Sequence, residues 1–315
     1  MDEKYDVVVV GGGAAGLNGA MALARSRRSV LVVDAEAPRN APAGHVHNFL
    51  TRDGMTPSDL IAAGRAEVTS YGGEIVTCKV VSAEAQDGGF RVDLADGRTV
   101  WARRLLVTTG LVDELPDVPG LADRWGRDVL HCPYCHGWEV RDQTIGVLAS
   151  SPMATHQALL FRQLSADVTV FLHNAPAFDH TALIARGVTI VEGEVAGLEV
   201  TGDKLTGVRL SSGAVVACQA LAIQPRFTAR AEVLVSLGLK PVEQQMNGHV
   251  VGTYVPADGN GATVVPGVWV AGNVADLRAQ VMVAAGAGLN AAAAINADLV
   301  DEDVRHAVAE LQGAH

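Results

Sequence analysis

Cysteine is scarce in this sequence, with only Cys78, Cys132, Cys135 and Cys218 among 315 residues. Four are too few for a disulfide framework to hold a chain of this length. No run of lysine and arginine occurs, and the formal net charge is −11, which excludes nucleic acid or an anionic membrane as the main partner. Ordinary solubility accounts for that charge. No stretch of spanning length is free of polar residues, and the acidic start Met1-Asp-Glu-Lys leads into an apolar run soon broken by glycines. Neither a signal peptide nor a membrane span is expected from that pattern, and the expected location is the cytoplasm. In that compartment a C-x-x-C is more often redox-active or metal-binding than structural.

What is abundant points to an α/β protein. Apolar residues make up 49% and charged residues 19% of the chain, enough for a large buried core, and its 34 glycines suit many tight strand–helix turns. The length suits two domains. Tyr5–Val10 is apolar without alternation, as a parallel strand buried on both faces would be. It meets Gly11-Gly-Gly-Ala-Ala-Gly16, then a helical stretch from about Ala14 to Arg25 and a strand, Val30–Val33, ending on Asp34. Residues 91–107 read as a hairpin around Asp96-Gly97 that leads into another strand. Leu115-Pro-Asp-Val-Pro-Gly120 reads as a linker. A second strand–helix–strand pattern covers Thr144–Ala149, Met153–Leu164 and Val168–Leu172, and Gln224-Pro-Arg226 marks a further break. Last come a strand at Val268–Ala271, the turn Gly272-Asn273 and a helix from about Ala279 to Leu299. The simplest assembly is two Rossmann-like, doubly wound domains. One is split in sequence, 1–114 with 245–315, and the other is inserted at 115–244.

Gly11-x-Gly13-x-x-Gly16 follows a predicted strand, opens a helix, and has Asp34 at the end of the next strand, which together make the dinucleotide fingerprint. Gly11 permits the tight turn, Gly13 lets backbone approach a pyrophosphate, and Gly16 allows close helix–strand packing. The helix N-terminus offers N–H groups to phosphate, and Asp34 accepts from a ribose diol. The fingerprint alone does not separate FAD from NAD. Pro266-Gly-Val-Trp-Val-Ala-Gly-Asn-Val-Ala-Asp276 resembles the second FAD motif of the disulfide-reductase flavoproteins, most of which carry Asp at the position of Asn273. Asn keeps the hydrogen-bonding capacity and loses the charge, so FAD binding is expected to survive.

His131-Cys-Pro-Tyr-Cys-His136 is the chemical centre. A C-x-x-C places two sulfurs within exchange distance, and a neighbouring base or helix N-terminus lowers one thiol's pKa to make the reactive thiolate. Zinc competes for two Cys and two His, but structural zinc sites draw on separated ligand pairs and no second pair is present; no metal is expected. Cys78 and Cys218 stand alone in strand-like contexts and are expected to be buried as small apolar residues.

With the C-x-x-C after the first linker and the Gly272 motif, nearly the whole chain resembles the low-molecular-weight thioredoxin reductases. Within that group, Cys132-Pro-Tyr-Cys-His-Gly-Trp-Glu139 is closer to the FAD-dependent dithiol oxidases of gliotoxin-type and holomycin-type pathways. The resemblance implies a homodimer that takes a small-molecule dithiol and O2. It implies Cys135 as the sulfur against the flavin and Cys132 as the outer, exchanging sulfur. It further implies Asn48, Val80 (backbone), Thr109, Gly272, Asn273, Gln280 and Val281 as FAD neighbours.

Two departures from a thioredoxin reductase set the functional expectation. His136 stands where those enzymes place an acidic residue, and a neutral imidazole accepts a proton at neutral pH, as oxidation of a dithiol requires. His131 is a second candidate base; a hydrogen-bonded structural histidine is the competing reading for both. In the inserted domain, Ala149-Ser-Ser-Pro-Met-Ala154 replaces the glycine fingerprint, and Leu172-His-Asn-Ala-Pro176 offers no arginine for a 2′-phosphate. Without a nicotinamide donor, electrons enter from a dithiol and leave to another acceptor, most simply dioxygen. The alternatives are an NADPH-dependent thioredoxin reductase and a ferredoxin-linked disulfide reductase.

Overall fold

The computed structural model describes residues 3–150 and 153–313. The first sheet has seven strands. Its parallel part runs Glu74–Thr77, Val30–Asp34, Glu3–Val10 and Thr99–Val107, with Val268–Val270 pairing the far half of Thr99–Val107. An antiparallel hairpin, Val80–Gln86 and Gly89–Leu94, joins the near half of that strand. The unbroken valines of Glu3–Val10 are explained by cover on both faces. Val7 and Val9 pack with Leu17, Leu23 and Ile295 from two helices, whereas Val8 and Val10 pack with Leu105, Leu234 and Val255.

The second body has a five-stranded parallel sheet in the order Thr189–Val191, Val168–Phe171, Ile145–Leu148, Ala220–Ile223, Val129–Leu130. The helix Ala154–Phe161 covers it, and a three-stranded antiparallel sheet, Val195–Thr201, Lys204–Leu210 and Val215–Ala217, adjoins it. Both bodies are α/β units of Rossmann type, as expected.

The chain leaves the first body along Leu111–Glu114 and returns along Arg226–Ala229, and these two strands pair antiparallel. The return therefore comes earlier than the expected boundary at 244/245, which falls inside the strand Val242–Met246. Ala229, Val233, Leu234 and Leu239 bury against the core of the first body, so residues from 226 onward belong with it. The break seen at Gln224-Pro225 is the true junction.

The C-terminal helix also differs from expectation, running Val281–Gly313 and not stopping near Leu299. Its first half packs Ala284, Gly288, Ala291, Ile295 and Leu299 inward. The second half is fixed by ion pairs of Arg104 with Asp298 and Glu302, and of Arg28 and Arg103 with Asp303. By length and apolar content this helix could cross a membrane; its buried stripe lies instead against the helix Ala14–Arg25.

Candidate active site

A cleft of about 1300 Å³ runs from the glycine turn to the cysteine pair. At its floor the glycines have distinct reasons. Gly11 adopts φ +104°, and a Cβ there would lie 2.7 Å from the Thr108 carbonyl oxygen. At Gly16 a Cβ would lie 1.9 Å from the Gly11 carbonyl oxygen, so only glycine lets the helix start against the turn. Above Gly13 nothing lies within 4 Å, the open approach that a pyrophosphate needs. Gly12, to which the motif assigns no role, is required too, since its Cβ would sit 2.8 Å from the Asp34 carboxylate. Thr108 Oγ1 pins the turn by donating to the carbonyls of Val10 (3.1 Å) and Gly11 (2.8 Å). Asp34 lines the cleft 3.5 Å from Arg65, a residue of the helix Pro57–Ser70. Thr56 caps that helix by accepting the Asp59 N–H at 3.1 Å.

At the far wall Gly272 adopts φ +74° and Asn273 uses its whole amide. Its Nδ2 donates to the carbonyls of Asp276 and Ala279, both at 2.9 Å, and its Oδ1 accepts from Arg39 at 3.2 Å. An aspartate could not make the two donations, which explains the amide at this position. Gln280 and Val281 bring the start of the C-terminal helix to the cleft, and Val80 and Thr109 line it as well. Thr109 Oγ1 donates to the Arg230 carbonyl at 2.5 Å. Gly16 lies beneath the turn. Asn48 is outside the lining; exposed at φ +59°, it donates Nδ2 to the Tyr134 carbonyl at 2.6 Å and so steadies the cysteine turn. An open turn, an acid at the strand end and a second helix start form a cradle that fits FAD.

Cys132 precedes the single helical turn Pro133–His136, and both thiols are free and half-buried. The turn closes through N–H groups of Cys135 and His136 donating to the Cys132 carbonyl, each at 3.2 Å. A hydrogen bond from the Cys135 thiol brings the Cys132 thiol down to about 7 against the opposing effect of burial, helped by the N–H groups of Cys135 and Tyr134 and by Arg39. Cys135 is pushed up because it holds that shared proton, lies buried, and faces the Cys132 charge. The reduced pair therefore carries its first negative charge on Cys132.

His136 is half-buried, and its Nε2 has no hydrogen-bond partner among the described residues. Burial pushes its pKa below the usual imidazole value, with Glu139 opposing and His47 and His45 adding to the fall. The ring is neutral at pH 7 and able to accept a proton. It borders a side cavity of about 340 Å³ with His45, His47 and Glu139. His131 differs: its Nδ1 lies 3.0 Å from the Ile223 carbonyl, so that nitrogen carries the proton, and its ring meets Phe227 edge-on at 5.2 Å. Those contacts give His131 a structural use. Cys218 is buried as expected, its thiol pushed up to about 12, whereas Cys78 is only partly buried and lines the cleft. Among the described residues no group of His, Cys, Asp and Glu is arranged to hold a metal.

Arg39 and Gln157 carry no motif and were missed from sequence. Buried Gln157 donates Nε2 to the carbonyls of His131 (2.7 Å) and Ile223 (3.1 Å), tying the cysteine segment to the second sheet. In the inserted body's nucleotide turn, Ser151 and Pro152 lie outside the described residues. Its flanks are ordered by the Ala149 N–H donating to the Phe171 carbonyl at 2.9 Å and by Ser150 Oγ reaching the Gln224 carbonyl at 3.5 Å.

The family described as pyridine nucleotide-disulphide oxidoreductase matches residues 5–288. The chain belongs to this family. The thioredoxin reductase aclD of Aspergillus oryzae is 37% identical over 177 residues, which are 53% of this chain and 56% of that protein. The thioredoxin reductase sirT of Leptosphaeria maculans is 30% identical, with 95% of this chain and 96% of the relative covered. The solved structure of HlmI has a TM-score of 0.89 at 48% identity, covering 97% of this chain and 95% of that one. As a thioredoxin-reductase-like member of the pyridine nucleotide-disulphide oxidoreductases, the chain is a flavin-dependent thiol–disulfide oxidoreductase with FAD as cofactor.

Proposed function

We propose that the protein is a dithiol oxidase that closes an intramolecular disulfide in a small natural-product dithiol of the gliotoxin or holomycin type, with O2 as electron acceptor. The observation that carries the reading is the unpartnered His136 imidazole, its pKa lowered by burial, next in sequence to Cys135 and in the lining of the same cleft as both cysteines. The glycine-free turn Ala149-Ser-Ser-Pro-Met-Ala154 supports it, because a pyrophosphate there lacks the close backbone approach a fingerprint gives. In the oxidised enzyme, one substrate thiol gives its proton to His136 and attacks Cys132. Cys135 leaves as thiolate. The second substrate thiol then gives its proton to the Cys135 thiolate and attacks the substrate sulfur of the mixed disulfide, which releases the cyclic disulfide and the Cys132 thiolate. FAD, when bound, supplies the two-electron acceptor that returns the pair to the disulfide and passes the electrons to O2. The balance is dithiol plus O2 giving disulfide plus H2O2. We place the enzyme in the cytoplasm as a homodimer; the exposed apolar ridge Val300, Val304, Val308 and Leu311 on the C-terminal helix supports self-association.

The family's nicotinamide chemistry and the relatives' printed names favour a second reading, an NADPH-dependent disulfide reductase. Stopped-flow mixing of the oxidised holoenzyme with NADPH, NADH or dithiothreitol under anaerobic conditions separates the two. The oxidase reading expects the dithiol to bleach the flavin, the nicotinamides to do so poorly, and air to restore colour with peroxide released. Bleaching by NADPH at a catalytically useful rate refutes it. A ferredoxin-linked reductase is the outcome if neither reductant bleaches the flavin and reduced ferredoxin does.

A further inference from the structure

Arg39 lies in the loop after the Asp34 strand, and its side chain reaches the cleft between the Asn273 wall and the cysteines. Its Nε and Nη2 donate to the two carboxylate oxygens of Asp113 at 2.8 and 2.6 Å, the two-point arrangement that fixes a guanidinium plane. Nη1 donates to Asn273 Oδ1 at 3.2 Å. The guanidinium carbon stands 5.2 Å from the centre of the Phe227 ring, against which the ring of His131 also packs. His131 is the residue immediately before Cys132. A cation held by a carboxylate, an aromatic face and an amide is fixed in place, and it sits where the flavin wall and the redox turn meet.

We propose that Arg39 is the electrostatic positioning residue of the redox pair, presenting a fixed positive charge to Cys132 and Cys135 and so favouring whichever sulfur is the thiolate. Arg39 draws both thiol pKa values down and also disfavours a charged His131, whereas Asp113 acts on His131 in the opposite sense. Arg39 lines the same cleft as both cysteines. The amide at 273 fits the same arrangement. An aspartate there would give one guanidinium two carboxylates and cancel its field, while Asn273 accepts its hydrogen bond without charge. The inference rests on these cysteines being the redox pair and not on the direction of electron flow.

The test is the pH profile of iodoacetamide alkylation at Cys132 in the reduced holoenzyme, read peptide by peptide in a mass spectrometer. Arg39→Met is expected to move the midpoint alkaline by about half to one pH unit, and Arg39→Lys, which keeps the charge, to restore most of it. Asp113→Asn leaves the guanidinium without its carboxylate and is expected to move the midpoint the other way. A packing role alone would move Arg39→Met and Asp113→Asn in the same direction, or neither, and either result overturns the proposal. So does an Arg39→Lys midpoint equal to that of Arg39→Met. Should Arg39→Met fail to fold with FAD, the sign of the Asp113→Asn shift decides, an unchanged or alkaline midpoint being the refuting result. Alkylation needs neither a dithiol substrate nor O2, so these outcomes stand even if the oxidase reading fails.

Discussion

Gly288→Ala should loosen the cofactor site from a distance, and Gly286→Ala in the same helix should not. A Cβ at Gly288 would lie 2.0 Å from the Ala15 carbonyl oxygen and 2.7 Å from its carbon. Ordinary contact begins near 3.5 Å, so the two helices must separate by about 1.5 Å or deform. Both helices begin at the cleft, one at Ala14 and the other at Val281. Their separation also strains the bond from Asn18 Nδ2 to the Ala285 carbonyl (2.7 Å) and the contact of Gly272 with Ala15. Overpacking of this kind costs about 1–3 kcal/mol, partly offset by the ~1 kcal/mol that alanine gains over glycine in a helix. Gly286 is exposed with nothing within 4 Å of a Cβ, so its alanine variant keeps the gain alone. Thermal unfolding with and without added FAD, plus flavin retained after gel filtration, reads both effects. Gly288→Ala should melt several degrees below Gly286→Ala and lose flavin on the column. Equal melting temperatures with full flavin retention would refute the argument that this crossing sets the cofactor turn.

Two further outcomes follow from the cysteine turn. Cys132→Ser removes the thiolate whose hydrogen bond and charge lift Cys135, so a long-wavelength charge-transfer absorbance with oxidised flavin should appear as pH rises; the band in Cys135→Ser instead would reverse the assigned order. His136→Ala should slow flavin reduction by dithiol ~10²–10⁴-fold at neutral pH while FAD stays bound. That loss should shrink at high pH, where substrate thiols ionise unaided, and an unchanged neutral rate in stopped flow would leave His136 structural.

The parts of this molecule that were legible in the sequence are those whose cause is local. The valine run before Gly11 reads as a doubly covered strand, and the helix at Ala14–Arg25 falls where the turn starts it. The hairpin around Asp96-Gly97 and the strand–helix–strand of the second body were also readable from period and turn chemistry. The end of the C-terminal helix was not, because past Leu299 its apolar residues are exposed among many charges and the helix is held by Arg28 and by Arg103 and Arg104 of a distant strand. The return crossing was misplaced for the same reason: nothing local in residues 226–244 shows that Leu234 and Leu239 bury beside Val8. Asn48 has a use that no motif announces, since its amide donates to the Tyr134 carbonyl within the cysteine turn. Arg39 has no motif at all; its partners come from Asp113, Phe227 and Asn273.

The cysteine turn has a property that no single residue supplies. As a reduced pair, Cys132 carries the charge and Cys135 the proton, because each sets the other's pKa. A substrate sulfur bound to Cys132 abolishes that coupling, since a disulfide sulfur neither accepts the Cys135 proton nor bears a charge. Two of the three causes that raise Cys135 then vanish, leaving burial on one side and Arg39 on the other. Cys135 thus becomes easier to ionise at the step where it must leave as thiolate. The order of ionisation is therefore set by the covalent state of Cys132 and needs no movement of the backbone. In the proposed oxidation a neutral His136 completes the arrangement: lining the same cleft, it takes a proton from the incoming thiol and adds no permanent positive charge to it.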